Sequence, residues 1–145
     1  MATIWTIGYE RLLPPELVAE LEAAGVQRVI DVRFRPQSRR PGMSKTRLGA
    51  LLGEHGIVYE HRRALGTPPD LRWLFHAGRT AEAAAAYRAH VEEISPHALD
   101  ELAEELGTGP RTALLCLEAD PAGCHRRVIT DALRDRRDDL GVVDL

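Results

Sequence analysis

Thr112-Ala113-Leu114-Leu115-Cys116-Leu117, followed by Glu118-Ala119-Asp120-Pro121-Ala122-Gly123 and then Cys124-His125-Arg126-Arg127, decides how this chain folds. Six uncharged residues in a row are the signature of a strand buried on both faces. A Pro/Gly turn that runs into a helical period is how a parallel sheet hands over to its next helix. Val128, Ile129, Ala132 and Leu133 form the apolar stripe of that helix, which is expected from about Pro121 to Arg136.

The same alternation extends outward. Thr3 to Ile7 is β-branched and aromatic and stops at Gly8, Arg28 to Val32 is a short second strand, and Ile57 to Glu60 a third. Val142-Val143 is a weaker candidate for a fifth. Pro14-Pro15 opens a helix that Gly25 ends, and Ser44 is placed to cap a helix carrying Leu48, Leu51 and Leu52. Further helices are expected over Asp70 to Phe75, Ala81 to Glu93 and His97 to Leu106. Strands alternating with helices predict an α/β fold, a single domain over residues 1–145. Its sheet should have four to five mostly parallel strands, with helices on both faces.

Composition excludes several classes. The chain has 145 residues, 44% of them hydrophobic and 28% charged, as in an ordinary globular domain. No stretch approaches the ~20 apolar residues of a membrane helix, so no membrane partner is expected. Two cysteines and an N-terminus without signal-peptide character point to a cytoplasmic protein with reduced thiols. The net charge of -3 argues against a general polyanion binder, yet the distribution is uneven. Between Val32 and Gly53 there is no acidic residue, while Arg33, Arg35, Arg39, Arg40, Lys45 and Arg47 crowd the stretch. Lys45 is the only lysine in the chain.

Parallel sheets bind ligands beyond the carboxyl ends of their strands. Those ends carry Gly8 and Tyr9, Asp31 and Arg33, His61, and Glu118. Four strands thus deliver polar residues to one edge. With Thr6-Ile7-Gly8-Tyr9, Asp31-Val32-Arg33, Pro36, Ser38, Arg39, Pro41, Ser44, Lys45, Leu65-Gly66, Leu114-Leu115-Cys116, Glu118 and Cys124-His125-Arg126 in this order, the chain resembles the domain-of-unknown-function family 488. The resemblance spans nearly the whole length. It implies a small α/β domain with a shared set of polar positions and no established reaction.

Each candidate has a functional and a structural reading. Cys124, beside cationic groups and near a helix start, has the setting of a thiolate nucleophile. Against this, the phosphatase and sulfurtransferase spacing is absent, since Thr130 lies six residues after Cys124, and a free cysteine is commonly a buried hydrophobe. His125 falls inside the apolar stripe and should be buried with a hydrogen-bond partner at Glu118, Asp31 or a strand-end carbonyl. A metal is not expected. Cys116 and Cys124 match no structural zinc spacing, and adjacent Cys124 and His125 on a helix diverge by some 100°. Glycine-rich phosphate loops are missing, so no nucleotide cofactor is expected either.

Two functions from different classes follow. One is an enzyme acting on a small anion, a nucleotide or other phosphate ester. Arg33, Arg39, Lys45 and Arg126 would hold that anion, helped by Gly8, Tyr9, His61 and His125. Asp31 or Glu118 would act as base or orienter, with Cys124 as the candidate nucleophile. The other is a non-catalytic module that binds nucleic acid or a nucleotide through the basic loop 33–47, with Tyr9 as a stacking surface. In both, Glu118 and Arg126 form one wall of the site and the loop from Asp31 to Lys45 the other. Oligomeric state is not legible in the sequence.

Overall fold

A computed structural model describes residues 1–145. Five strands, β1 (Ala2–Gly8), β2 (Arg28–Asp31), β3 (Val58–His61), β4 (Thr112–Cys116) and β5 (Leu140–Asp144), form one sheet in the order β3-β2-β4-β1-β5. Every pairing is parallel. Six helices join them: α1 (Pro14–Ala23), α2 (Lys45–Glu54), α3 (Pro69–His76), α4 (Thr80–Ile94), α5 (Pro96–Thr108) and α6 (His125–Arg134). No helix is long and apolar enough to cross a membrane.

Strand alternation sorts the core into two clusters, because successive side chains leave a strand on opposite faces. Ile4, Ile30, Leu114 and Cys116 pack with residues of α3 to α6, while Ile7, Val29, Ala113 and Leu115 pack with α1 and α2. β4 is buried at every position and sits in the middle of the sheet, as its uncharged run requires. Local signals explain most boundaries. Pro14 opens α1, and Glu16 Oε1 accepts the Leu13 N–H at 2.8 Å; Gly25, at φ 72°, ends the turn that follows.

The structure departs from expectation at two starts of helices. Ser44 is at the N-cap of α2 but gives its helix no side-chain bond. Its Oγ instead accepts the Ser38 N–H at 3.0 Å and donates to the Ser38 carbonyl at 3.3 Å, closing the basic loop on itself. The last major helix does not begin at Pro121. Pro121–Gly123 is a single 3-10 turn capped by Asp120, Cys124 is extended at φ -139° and ψ 155°, and α6 starts only at His125.

The central place of β4 predicts a graded cost of truncation. Leu114→Ala should destabilise the protein by about 2–5 kcal/mol in urea unfolding. Val143→Ala, on edge strand β5 and 41% exposed, should change stability by no more than about 0.5 kcal/mol.

Candidate functional site

A cavity of 450 Å³ opens beyond the carboxyl ends of β1, β2 and β4. Cys116, Leu117 and Glu118 reach it from the end of β4, and Cys124 and His125 from the start of α6. Tyr9 follows β1, Arg33, Phe34, Arg35, Arg39 and Arg40 follow β2, and Thr67, Arg72 and Phe75 close the remaining side. Close backbone approach holds these loops together. A Cβ on Gly8 would lie 1.7 Å from the Glu118 carbonyl oxygen, and one on Gly66 would lie 2.4 Å from Phe34 Cα. Only glycine lets the loops after β1 and β4, and those after β2 and β3, cross so tightly.

At the floor, Cys124 escapes the helix and turns back toward Cys116. The two sulfur atoms are in contact, while the Cα atoms stand 7.8 Å apart. That span exceeds the roughly 4.4–6.8 Å across which a disulfide ordinarily forms, so the pair is better described as two sulfurs converging on one point than as a cross-link. His125 Nδ1 lies 3.5 Å from Cys124 Sγ, and the Nε2–H donates to the Val32 carbonyl at 2.7 Å. A strand-end carbonyl is thus the partner of the buried imidazole. Burial is the main reason that its pKa falls to about 4; the charges of Arg126 and Arg72 add to this, and the Val32 hydrogen bond opposes it. The ring is therefore neutral at physiological pH. Glu118 Oε2 accepts from the Cys116 thiol at 3.4 Å, and His76 Nε2 is 3.7 Å from Glu118 Oε1.

Several of the expected site residues have partners within the protein. Asp31 is fully buried and accepts Arg33 Nε at 2.9 Å and Arg33 Nη2 at 2.7 Å, with the Tyr59 hydroxyl donating to it as well. It leaves β2 on the α1/α2 face, opposite to Cys116, and does not line the cavity. Arg33 lines the cavity but also donates to the Met43 carbonyl at 2.8 Å and the Tyr9 hydroxyl at 3.1 Å, which leaves little of its fork for a ligand. Burial opposes its charge, yet the hydrogen bonds and charge of Asp31 more than offset this and raise its pKa. Arg126 is fully buried and lies outside the cavity. It donates to Thr6 Oγ1 at 3.1 Å and to the Glu118 carbonyl, so it braces the loop after β4 rather than forming a wall. Burial lowers its pKa, and the carboxylates of Asp144, Glu118 and Asp120 oppose that shift.

Lys45 faces a separate surface cavity bounded by Pro36, Ser38, Arg40 and Arg47. His61 Nε2 is bound to the Arg33 carbonyl at 2.7 Å and supports the turn after β2. Gly8 is a packing position beneath Glu118 and does not line the cavity. Tyr9 does line it, but the guanidinium carbons of Arg33 and Arg40 lie 5.2 and 5.9 Å from its ring centroid, so a stacked base would compete with them. Arg40 is held by the carbonyls of Tyr9, Glu10 and Leu12. Of the expected site residues, Cys124, His125, Glu118, Tyr9, Arg33 and Arg39 therefore meet at the cavity, while Asp31, Lys45, His61, Gly8 and Arg126 do not.

The sequence reading missed Arg72, Thr67 and Phe75, which a helix after the third loop brings over the cavity. The signal available was Gly66-Thr67-Pro68-Pro69, a loop at the same strand edge whose proline starts a helix, putting Arg72 in that helix's first turn. Thr67 is buried and its Oγ1 has no hydrogen-bond partner. The divergence expected of Cys124 and His125 also fails, because it assumed that both residues are helical. With Cys124 extended, one ligand atom each from Cys116, Cys124 and His125 lies within 4.8 Å of the others.

An arginine-rich cavity with a buried Cys-Cys-His floor, at the strand ends of a parallel sheet, is the class of site that the fold defines. The chain belongs to the family described as Domain of unknown function DUF488, whose model matches residues 14–133. No curated protein and no solved structure matches it.

The buried Asp31–Arg33 pair predicts a structural role for Asp31. Asp31→Asn should cost about 3–5 kcal/mol in urea unfolding, because it leaves a buried guanidinium unpaired. Tyr59→Phe should cost about 1 kcal/mol, the loss of one hydrogen bond. A base in the cavity would instead lose turnover with stability unchanged.

Proposed function

We propose that the cavity binds a small anion bearing phosphate. The observation that carries this is the state of three guanidinium groups: Arg35, Arg39 and Arg72 line the cavity and enter no ion pair or side-chain hydrogen bond within the protein. Nineteen basic residues face twenty-two acidic ones in this chain, and other arginines are paired, as Arg62 is with Glu105 and Arg136 with Glu92. The cavity has one carboxylate among its lining residues, Glu118, against five arginines. Unpaired forks along one cavity suit the tetrahedral oxygens of phosphate, which accept bidentate donors at several angles. The unpartnered hydroxyl of Thr67 adds a neutral donor at the same place.

The volume of 450 Å³ matches a compact ligand rather than a polymer. Phe34 and Phe75 supply apolar contact beside the arginines, an arrangement suited to a phosphate ester with a flat organic part. Whether the bound molecule is turned over then depends on the floor of the cavity, where Cys124 and Glu118 are the groups able to take part.

Thermal unfolding with inorganic phosphate and with nucleoside monophosphates tests the proposal. Ligand at about 100 times its Kd should stabilise the protein by about 2.7 kcal/mol, a rise in Tm of about 5–10 °C. Arg39→Ala and Arg72→Ala should each remove most of that rise, and Lys45→Ala should leave it intact. No rise with any of these anions, or an undiminished rise in both cavity variants, overturns the proposal. Stabilisation by oligonucleotides alone, falling steeply with added salt, would identify a nucleic-acid module instead.

A further inference from the structure

We propose that Cys116 Sγ, Cys124 Sγ and His125 Nδ1 form a three-ligand site for a divalent, thiolate-preferring metal ion of the zinc class, with the fourth position open to the cavity. The proposal stands on the sulfur and nitrogen atoms of the floor and does not depend on anion binding by the arginines.

Four observations carry it. First, three ligand atoms of the correct chemistry lie within 4.8 Å of one another, each from a buried residue. Tetrahedral zinc, with bonds of about 2.3 Å to sulfur and 2.0–2.1 Å to nitrogen, holds its ligands about 3.5–3.8 Å apart. Cys124 Sγ and His125 Nδ1, at 3.5 Å, already form one edge of such a tetrahedron. The 7.8 Å between the Cα atoms of Cys116 and Cys124 leaves the sulfurs room to part around an ion.

Second, the imidazole is prepared as a metal ligand. Its Nε2–H donates to the Val32 carbonyl at 2.7 Å, which fixes the tautomer and turns the Nδ1 lone pair toward the sulfurs. A ligating histidine almost always carries such an outer hydrogen bond, commonly to a backbone carbonyl. Edge-on contact with the Tyr87 ring, centroid to centroid 5.2 Å, further restricts the imidazole plane. Tyr87 is itself anchored by its hydroxyl, which donates to the Leu65 carbonyl at 2.6 Å.

Third, all three ligands sit at the ends of regular elements. Cys116 is the last residue of the central strand, paired in register with Gly8 of β1. Cys124 and His125 are the N-cap and first residue of α6, and the Val32 bond ties that helix start to the end of β2. Fourth, charge favours an ion there. Two buried thiolates would be costly alone, and a divalent cation cancels their charge.

Three protein ligands and one open position are the arrangement of catalytic rather than structural zinc sites. Cys116, Cys124 and His125 all border the cavity, so a water or an oxygen of a ligand can occupy the fourth position. Glu118, with Oε2 3.4 Å from Cys116 Sγ, stands where it can accept a proton from that water.

The test is a cobalt titration of the full-length protein, reduced and desalted without oxygen. One cobalt per chain should bind and produce thiolate-to-metal charge-transfer absorption together with intense tetrahedral bands in the visible; one equivalent of zinc should bleach both. Cys116→Ser and Cys124→Ser should each abolish the tetrahedral thiolate spectrum, and His125→Asn should weaken cobalt affinity by at least about tenfold. Reduced wild-type protein that shows no such bands overturns the proposal, and so does an unchanged spectrum in the two serine variants. A sulfur pair that thiol counting finds still oxidised after reductant has been applied overturns it too. The wild-type titration needs no variant, so it stays decisive even where a substituted chain misfolds.

Discussion

The site depends on one hydrogen bond, from His125 Nε2–H to the Val32 carbonyl at 2.7 Å. It joins the first residue of α6 to the first residue beyond β2, across ninety-three positions of sequence. Just before His125, Cys124 is the extended cap of the helix. The extended cap swings its sulfur toward Cys116, which reaches the same point because Val32 and Cys116 leave neighbouring strands on the same face. That tie between a helix start and a strand end borders the floor of the cavity.

Arginine performs two unrelated tasks at this edge of the sheet. Arg33, Arg40 and Arg126 are architectural. They satisfy carbonyls and a carboxylate in loops that have little regular hydrogen bonding of their own, at Met43, at Tyr9 and Leu12, and at Glu118. A guanidinium suits this work because its five donors can reach several chain segments at once. Arg35, Arg39 and Arg72 meet no such demand and keep their charge for the cavity. Three of the five cavity arginines thus have no ion pair or side-chain hydrogen bond within the protein, while Arg33 and Arg40 are bonded to the loops around it.

That division explains which site residues were legible. The edge of the sheet was readable, because period, length and turn chemistry place strand ends without reference to any tertiary contact. Cys124, His125, Glu118 and Arg39 do meet there. Asp31 and Arg126 were misplaced for a shared reason: both are charged residues at that edge, and charge alone does not reveal whether a partner lies in the core. Alternation carried part of the missing information. Asp31 pairs in register with Leu115, so it leaves its strand on the face opposite Cys116. Arg126 bonds Thr6, one hundred and twenty residues away, a contact with no local signature.

By itself the sequence determined the α/β class, the central position of β4, the all-but-complete set of helices and the sheet edge on which the cavity opens. These follow from local rules, a period of two or of 3.6 and the conformational demands of proline and glycine. Only the tertiary structure decided which guanidinium groups are free and which are buried in pairs. It also decided that Cys116, Cys124 and His125 converge. Their convergence goes with a Cys124 that stands outside the helical conformation its turn and spacing suggest, next to a His125 bonded to the distant Val32. That bond joins residues ninety-three positions apart, a contact with no local signature, so the arrangement could be seen only once the strands had been brought together.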